Sequence, residues 1–262
     1  MDPNVYNKSF FNQQKEGSRR SASRVVPLIM QIAQPASVVD VGCGLGTWLA
    51  EFRELGVQKI LGMDGDYVDR SELQIPPSDF RPHDLTRPID IGLKFDLAIS
   101  LEVAEHLPPE CAAAFVKSLV GLAPVVVFSA AIPHQGGTNH LNESWQVHWC
   151  KLFIENGYTA YDPIRPLIWR DREVEISYRQ NLLVYAREGA LSRDRIAAAH
   201  LSRPSTESLV HPELFYYIAE QNSPENIGVR RAARQLAFSL RRAVVRRILG
   251  RRRPPAPTPG EY

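Results

Sequence analysis

Residues 38–47, Val38-Val39-Asp40-Val41-Gly42-Cys43-Gly44-Leu45-Gly46-Thr47, run an apolar β-branched segment into three glycines at alternate positions. An amphipathic stretch, Thr47–Leu55, follows at once, with Trp48, Phe52 and Leu55 at helical spacing and Gly56 as its stop. The pattern is a strand, a tight turn and a helix start. Glycine lets the backbone take left-handed conformations and lets a ligand approach it closely, while the start of a helix offers backbone N–H groups. One glycine would serve a plain strand-to-helix turn, so three point to a bound molecule lying against the chain.

The rest of the chain repeats this strand–helix alternation. Ser37–Val41, Lys59–Met63, Phe95–Ser100, Val125–Ala130 and Asn181–Ala186 are predicted strands, and their continuous apolar character suits burial on both faces. Further helices are predicted from Pro108-Pro109 to about Val120, and from Glu143 to Asn156 before Gly157. Such alternation predicts an α/β fold with a doubly wound, mostly parallel sheet. Residues 1–36 read as a helical lead-in and 37–188 as the sheet domain. Residues 189–262 read as a helical, basic extension with a Pro-rich, disordered end from Pro254.

Two features discriminate the ligand. Dinucleotide sites use GxGxxG to deliver a pyrophosphate to the helix N-terminus, whereas these glycines sit one residue tighter and follow Asp40. An acid there would repel a pyrophosphate and suit a ligand bearing an ammonium and a sulfonium. The second strand ends at Asp64, twenty residues past Gly44, where a carboxylate can accept both hydroxyls of a ribose. Asp66 is the competing acid. At this point the sequence resembles motif I of the class I S-adenosylmethionine-dependent methyltransferases, and the resemblance spans residues 6–187.

The resemblance implies a Rossmann-like, seven-stranded sheet that binds S-adenosylmethionine through Asp40, Gly42, Gly44, Gly46 and Asp64. It implies an adenine segment at His83-Asp84-Leu85, where Asp84 would meet the exocyclic amine; a turn residue is the alternative reading of Asp84. It also implies a methyl-donor pocket lined by the end of the fourth strand, Leu101-Glu102, and by Ala104-Glu105-His106-Leu107. If the family's arrangement holds, Tyr6, Phe10, Phe11 and Gly17–Ser21 form a lid, and Arg20 pairs with the methionine carboxylate. A solvated basic turn is the competing reading of that stretch.

Acceptor chemistry is expected in the loop after the fifth strand, residues 133–149, which concentrates histidines, amides and aromatics at a sheet's carboxyl edge. The segment is similar to one in bacterial small-molecule methyltransferases that act beside glycan or natural-product pathways. Methyl transfer needs alignment of nucleophile, methyl carbon and sulfur. A hydroxyl acceptor also needs its proton removed, for which a histidine with a pKa of about 6.5 is suited. His140 is therefore the expected base, with Glu143 orienting it or holding the acceptor. A cap on the next helix is the alternative reading of Asn142 or Glu143, and core anchors are that of Trp145 and Trp149. No metal is assigned, because the spacing of His134, His140 and Glu143 matches no familiar ligand pattern.

Charge and composition exclude other classes. The box Asp/Asn-Pro-Pro-Tyr/Phe of nucleic-acid methylases is missing where Leu101-Glu102-Val103-Ala104 stands, so no specific nucleic acid is expected. Three scattered cysteines form no disulfide framework. The polar N-terminus lacks a signal-peptide core, and the most apolar stretch, 119–133, is too short to span a membrane, which reads as a cytoplasmic chain. Ten arginines and no acid lie between Arg230 and Arg253, leaving 21 Lys and Arg against 29 Asp and Glu elsewhere. Val229, Ala233, Leu236, Leu240, Val244 and Ile248 line one helical face among them, the pattern of a helix lying in an anionic membrane interface. Docking on the chain's own domain, a homodimer seam and non-specific nucleic-acid contact are the alternatives. The expected activity is methylation of a hydroxyl on a sugar or natural-product metabolite, a lipid-linked glycan included. Amino or carboxyl methylation is the alternative, as is a non-catalytic scaffold, against which the three glycines and Asp64 argue.

Overall fold

β1 (Ser37–Val41) sits at the middle of a seven-stranded sheet, hydrogen-bonded to β2 (Lys59–Asp64) on one side and β4 (Leu97–Leu101) on the other. With β3 (Phe80–Pro82), β5 (Val125–Ser129), β6 (Tyr158–Tyr161) and β7 (Leu183–Arg187), the order is β3-β2-β1-β4-β5-β7-β6. β1 to β5 pair in parallel, and β7 runs antiparallel to both its neighbours. The structure, a computed structural model, describes residues 8–191 and 208–221 together with Ala233, Leu236, Ala237 and Leu240.

The described residues include the α-helices α1 (Lys8–Ala33), α2 (Thr47–Glu54), α3 (Ala112–Leu122), α4 (Gln146–Glu155), α5 (Arg165–Ile168), α6 (Ile176–Asn181) and α7 (Pro212–Gln221). Alternate strand residues feed two cores, which is why the strands show no apolar–polar alternation. Val38, Leu97, Ile99, Val125 and Val127 meet Val25, Ile29, Leu49 and Phe52 of α1 and α2. Val39, Val41, Ala98, Val126 and Phe128 meet Phe115, Leu119, Trp149 and Phe153 of α3 and α4. Each fully buried Val, Leu or Phe contributes about 1.5–3 kcal/mol.

The predicted elements form with shifted ends. α2 stops at Glu54, leaving Leu55 as its C-cap and 42% exposed, off the buried Trp48–Phe52 face. α4 begins at Gln146, with Trp145 as N-cap and no capping side chain, so neither Asn142 nor Glu143 caps it. Asn181 ends α6, and the last strand starts at Leu183. β3 and β6 have three and four residues, too short to give a periodic signal, and each lies at an edge of the sheet.

The chain divides into two units, residues 1–211 and 212–262. In the second, α7 exposes Phe215, Tyr216 and Tyr217. The arginine-rich stretch 229–248 lies outside the described residues apart from four helical positions, of which Leu236 and Leu240 are exposed. Tyr6 is outside them too, and Phe10 and Phe11 are described only as backbone of α1. No described helix is long and apolar enough to cross a membrane.

Candidate active site

The order of strands reverses between β1 and β4, and such a reversal opens a crevice at their carboxyl ends. Gly42, Gly44 and Gly46 follow β1 with φ of 90°, 53° and 79°, all left-handed. A side chain at Gly42 would strike Val103, and one at Gly46 would strike Ile75. At Gly44 a Cβ would meet nothing within 4 Å. The outer two glycines thus let the turn pack, and the middle one keeps backbone bare toward open space.

Asp64, at the end of β2, is buried and accepts from the Gly44 N–H at 2.8 Å, the Gly65 N–H at 2.6 Å and the Tyr67 hydroxyl at 2.5 Å. Burial raises its pKa, and these three donors oppose the rise. Asp66 instead pairs with Arg70 at 2.6 Å in an exposed position. Asp40 is buried inside β1, and burial, then the charge of Asp64, pushes its carboxyl well above the usual range.

Past β3, a cavity of about 390 Å³ is lined by Gly65, Tyr67, His83, Asp84, Leu85 and Leu107, among others. Leu85 is buried, whereas Asp84 is exposed and takes the Thr86 hydroxyl at 2.7 Å and its N–H at 3.1 Å. The Thr86 hydroxyl is the main reason its carboxyl lies below the ordinary value. Asp84 is thus both a turn residue and part of the cavity wall.

β4 ends at the buried Leu101, and Glu102 follows with a left-handed φ of 55°. Its carboxylate accepts from Gln135 at 3.0 Å and Asn181 at 3.1 Å, contacts that oppose the upward push of burial on its pKa. Ala104–His106 form a single 3-10 turn. The Glu105 carbonyl accepts from Leu141 and Asn142 at 2.7 and 3.0 Å, tying the β4 segment to the loop after β5. The Glu105 side chain is fully buried, and neither of its oxygens finds a well-formed hydrogen bond among the described residues. Burial, then the charge of Glu102, holds that carboxyl well above its ordinary pKa.

In the loop, His140 Nδ1 lies 3.0 Å from Glu143 Oε1. Glu143 also accepts the His134 and Gly136 N–H groups, each at 2.8 Å, so it holds both the loop and the ring. His106 stands edge-to-face on His140, centroids 4.9 Å apart, and burial, then His140, lowers its pKa to about 4. His134 is exposed, and Trp149 is buried against Phe128. Arg20 pairs with Glu175 at 3.3 Å and Glu173 at 3.8 Å.

The structure thus joins Asp40, the three glycines and Asp64 in one turn, and Glu102, Glu105, His106, His140 and Glu143 in another cluster. Gln135, Asn181 and Tyr67 complete these networks without a sequence signal. Asn181 reaches Glu102 across 79 positions.

A methyltransferase-domain family matches residues 14–135. No curated protein sequence matches the chain. Among solved structures, magnesium protoporphyrin IX methyltransferase of Synechocystis PCC 6803, with S-adenosylhomocysteine bound, is similar at TM-score 0.51 and 20% identity, over 71% of this chain and 92% of that one. The same enzyme with S-adenosylmethionine bound gives TM-score 0.52 and 19% identity, over 72% and 98%. DesVI of Streptomyces venezuelae gives TM-score 0.52 and 17% identity, over 71% and 99%. At these identities the likeness to solved structures is one of fold. With its glycine turn, its strand order and its reversed seventh strand, the chain has the fold of the class I S-adenosylmethionine-dependent methyltransferases, and a methyltransferase domain is matched over residues 14–135.

Proposed function

We propose that the protein transfers the methyl group of S-adenosylmethionine to a hydroxyl of a small polar acceptor, a sugar or natural-product metabolite. The observation that carries this reading is the His140–Glu143 pair beside the end of β4. A neutral ring that donates Nδ1–H to Glu143 keeps Nε2 as a proton acceptor. An amine or carboxylate acceptor would not need that arrangement.

The donor fits the residues present, because the space before Gly44 is one that any side chain would fill. When bound, S-adenosylmethionine supplies an activated methyl group on a sulfonium. Asp64 offers carboxylate oxygens to the ribose hydroxyls, Leu85 and Asp84 line the cavity suited to adenine, and Asp40 lies buried in β1 beneath the turn. Glu102, held by Gln135 and Asn181, borders the donor pocket with Leu101. His140 takes the acceptor's proton, and Glu143 fixes the ring.

The test is incubation of the full chain with methyl-labelled S-adenosylmethionine and matched acceptors bearing hydroxyl, amino or carboxyl groups. Label in an alkali-stable ether supports the proposal, and label confined to amines or esters overturns the hydroxyl.

The exposed Phe215, Tyr216 and Tyr217 of α7 favour a second reading, that the C-terminal unit rests on an anionic membrane surface. A lipid-linked glycan would then be the acceptor class to try first.

A further inference from the structure

Glu105, His106 and His140 each bring one potential ligand atom within 4.8 Å of the others. The first two come from the turn after β4 and the third from the loop after β5, so strand order, not sequence, assembles the set. Glu105 is 0% exposed, and its oxygens have no well-formed hydrogen bond among the described residues. Glu102 stands beside it, so the buried end of the cluster offers two carboxyl groups.

The histidines are prepared as ligands. Metal-binding imidazoles almost always give their second nitrogen to a carboxylate or a backbone carbonyl, which fixes the ring and the tautomer. Glu143 does this for His140 at Nδ1, 3.0 Å away. The carbonyls of Thr138 and Asn139 hydrogen-bond the ring of His106. Each ring is thus held by a partner outside the cluster.

We infer that Glu105, His106 and His140 bind one divalent cation, with Glu102 as the adjacent second carboxylate. A mixed imidazole and carboxylate set suits Mn²⁺ or Fe²⁺ better than Ca²⁺ or a thiolate-seeking ion. The inference deepens the proposed hydroxyl methylation and rests on it for its purpose. A hydroxyl bound to the cation has a lowered pKa and releases its proton to solvent. The alkoxide electron pair then forms the O–C bond as the C–S bond breaks and its pair returns to sulfur. In this form His140 is a ligand and not the base.

The experiment titrates Mn²⁺ alone into the chelator-treated full chain and follows loss of the free-ion electron paramagnetic resonance signal. One equivalent per chain is expected. His106→Ala and Glu105→Gln should each weaken binding at least ~10-fold, and Glu143→Gln, through orientation of His140, by ~10–100-fold. His134→Ala, exposed in the same loop, should leave it unchanged. If the variants do not fold, nitrogen hyperfine couplings from imidazole on Mn²⁺ bound to the unaltered protein take their place. No saturable binding, binding that survives both ligand substitutions, or an absence of imidazole couplings overturns the cation site. In those cases, ether formation by the metal-free enzyme leaves the hydroxyl reading standing with His140 as base. One bound Mn²⁺ with label only on amines sinks the hydroxyl reading and keeps the site.

Discussion

His140 Nδ1 sits 3.0 Å from Oε1 of Glu143, and the same carboxylate closes the loop through the His134 and Gly136 N–H groups. One side chain therefore sets both the shape of the loop and the direction of the ring. His140→Ala should lower turnover ~10²–10⁴-fold while donor affinity, read by calorimetry, stays near that of the unaltered protein. Glu143→Gln should lower turnover less and broaden protease sensitivity to the 133–144 loop. An unchanged rate in His140→Ala would remove this residue from the chemistry.

The glycine turn makes a separate prediction about the donor. Gly44→Val places a β-branched residue at φ 53° and fills the open space before the turn. Asp64→Asn turns an amide toward groups that donate to the present carboxylate, Gly44 N–H, Gly65 N–H and Tyr67 O–H. Each change should weaken S-adenosylhomocysteine binding by ~100-fold, about 2.7 kcal/mol, in titration calorimetry. Retention of full affinity in both would show that the donor lies elsewhere.

Asp40 links stability to pH. Its folded pKa is raised by burial and then by Asp64, so the native state holds this proton to higher pH than the unfolded chain does. The stability that it contributes is complete below the unfolded value, about 3.9, and is lost as pH rises through the folded value. Asp40→Asn escapes that loss. The variant's melting temperature should exceed that of the unaltered protein by a margin that grows from pH 5 to pH 8, roughly 2–4 °C for each kcal/mol. Donor binding should fall at the same time. A margin that shrinks as pH rises contradicts the assignment.

The C-terminal unit is testable without knowing the acceptor. Flotation with liposomes should carry the full chain in proportion to anionic lipid content, while a chain ending at Ser223 should stay behind. Each arginine near such a surface adds about 1 kcal/mol, so raised salt should release the protein. Binding that ignores lipid charge, or that survives truncation, points instead to a dimer seam.

By itself the sequence determined the central turn, the five longer strands and the helices that cross between them. These rest on rules that act over a few residues: glycine's access to positive φ, apolar runs that need two covered faces, and helical spacing. Gly42, Gly44, Gly46 and Asp64 are legible for that reason, since each sits at the end of a strand that its own neighbours specify. Leu55 and Glu143 show where such rules stop, because a helix end is set by what it packs on. Only the tertiary structure decided that Asn181 and Gln135 hold Glu102, and that β7 runs antiparallel beside β5. Only it placed the buried Glu105 beside two histidines. Those side chains meet because parallel pairing of β4 with β5 sets two loops side by side at one edge, and no spacing within either loop records the distance between them.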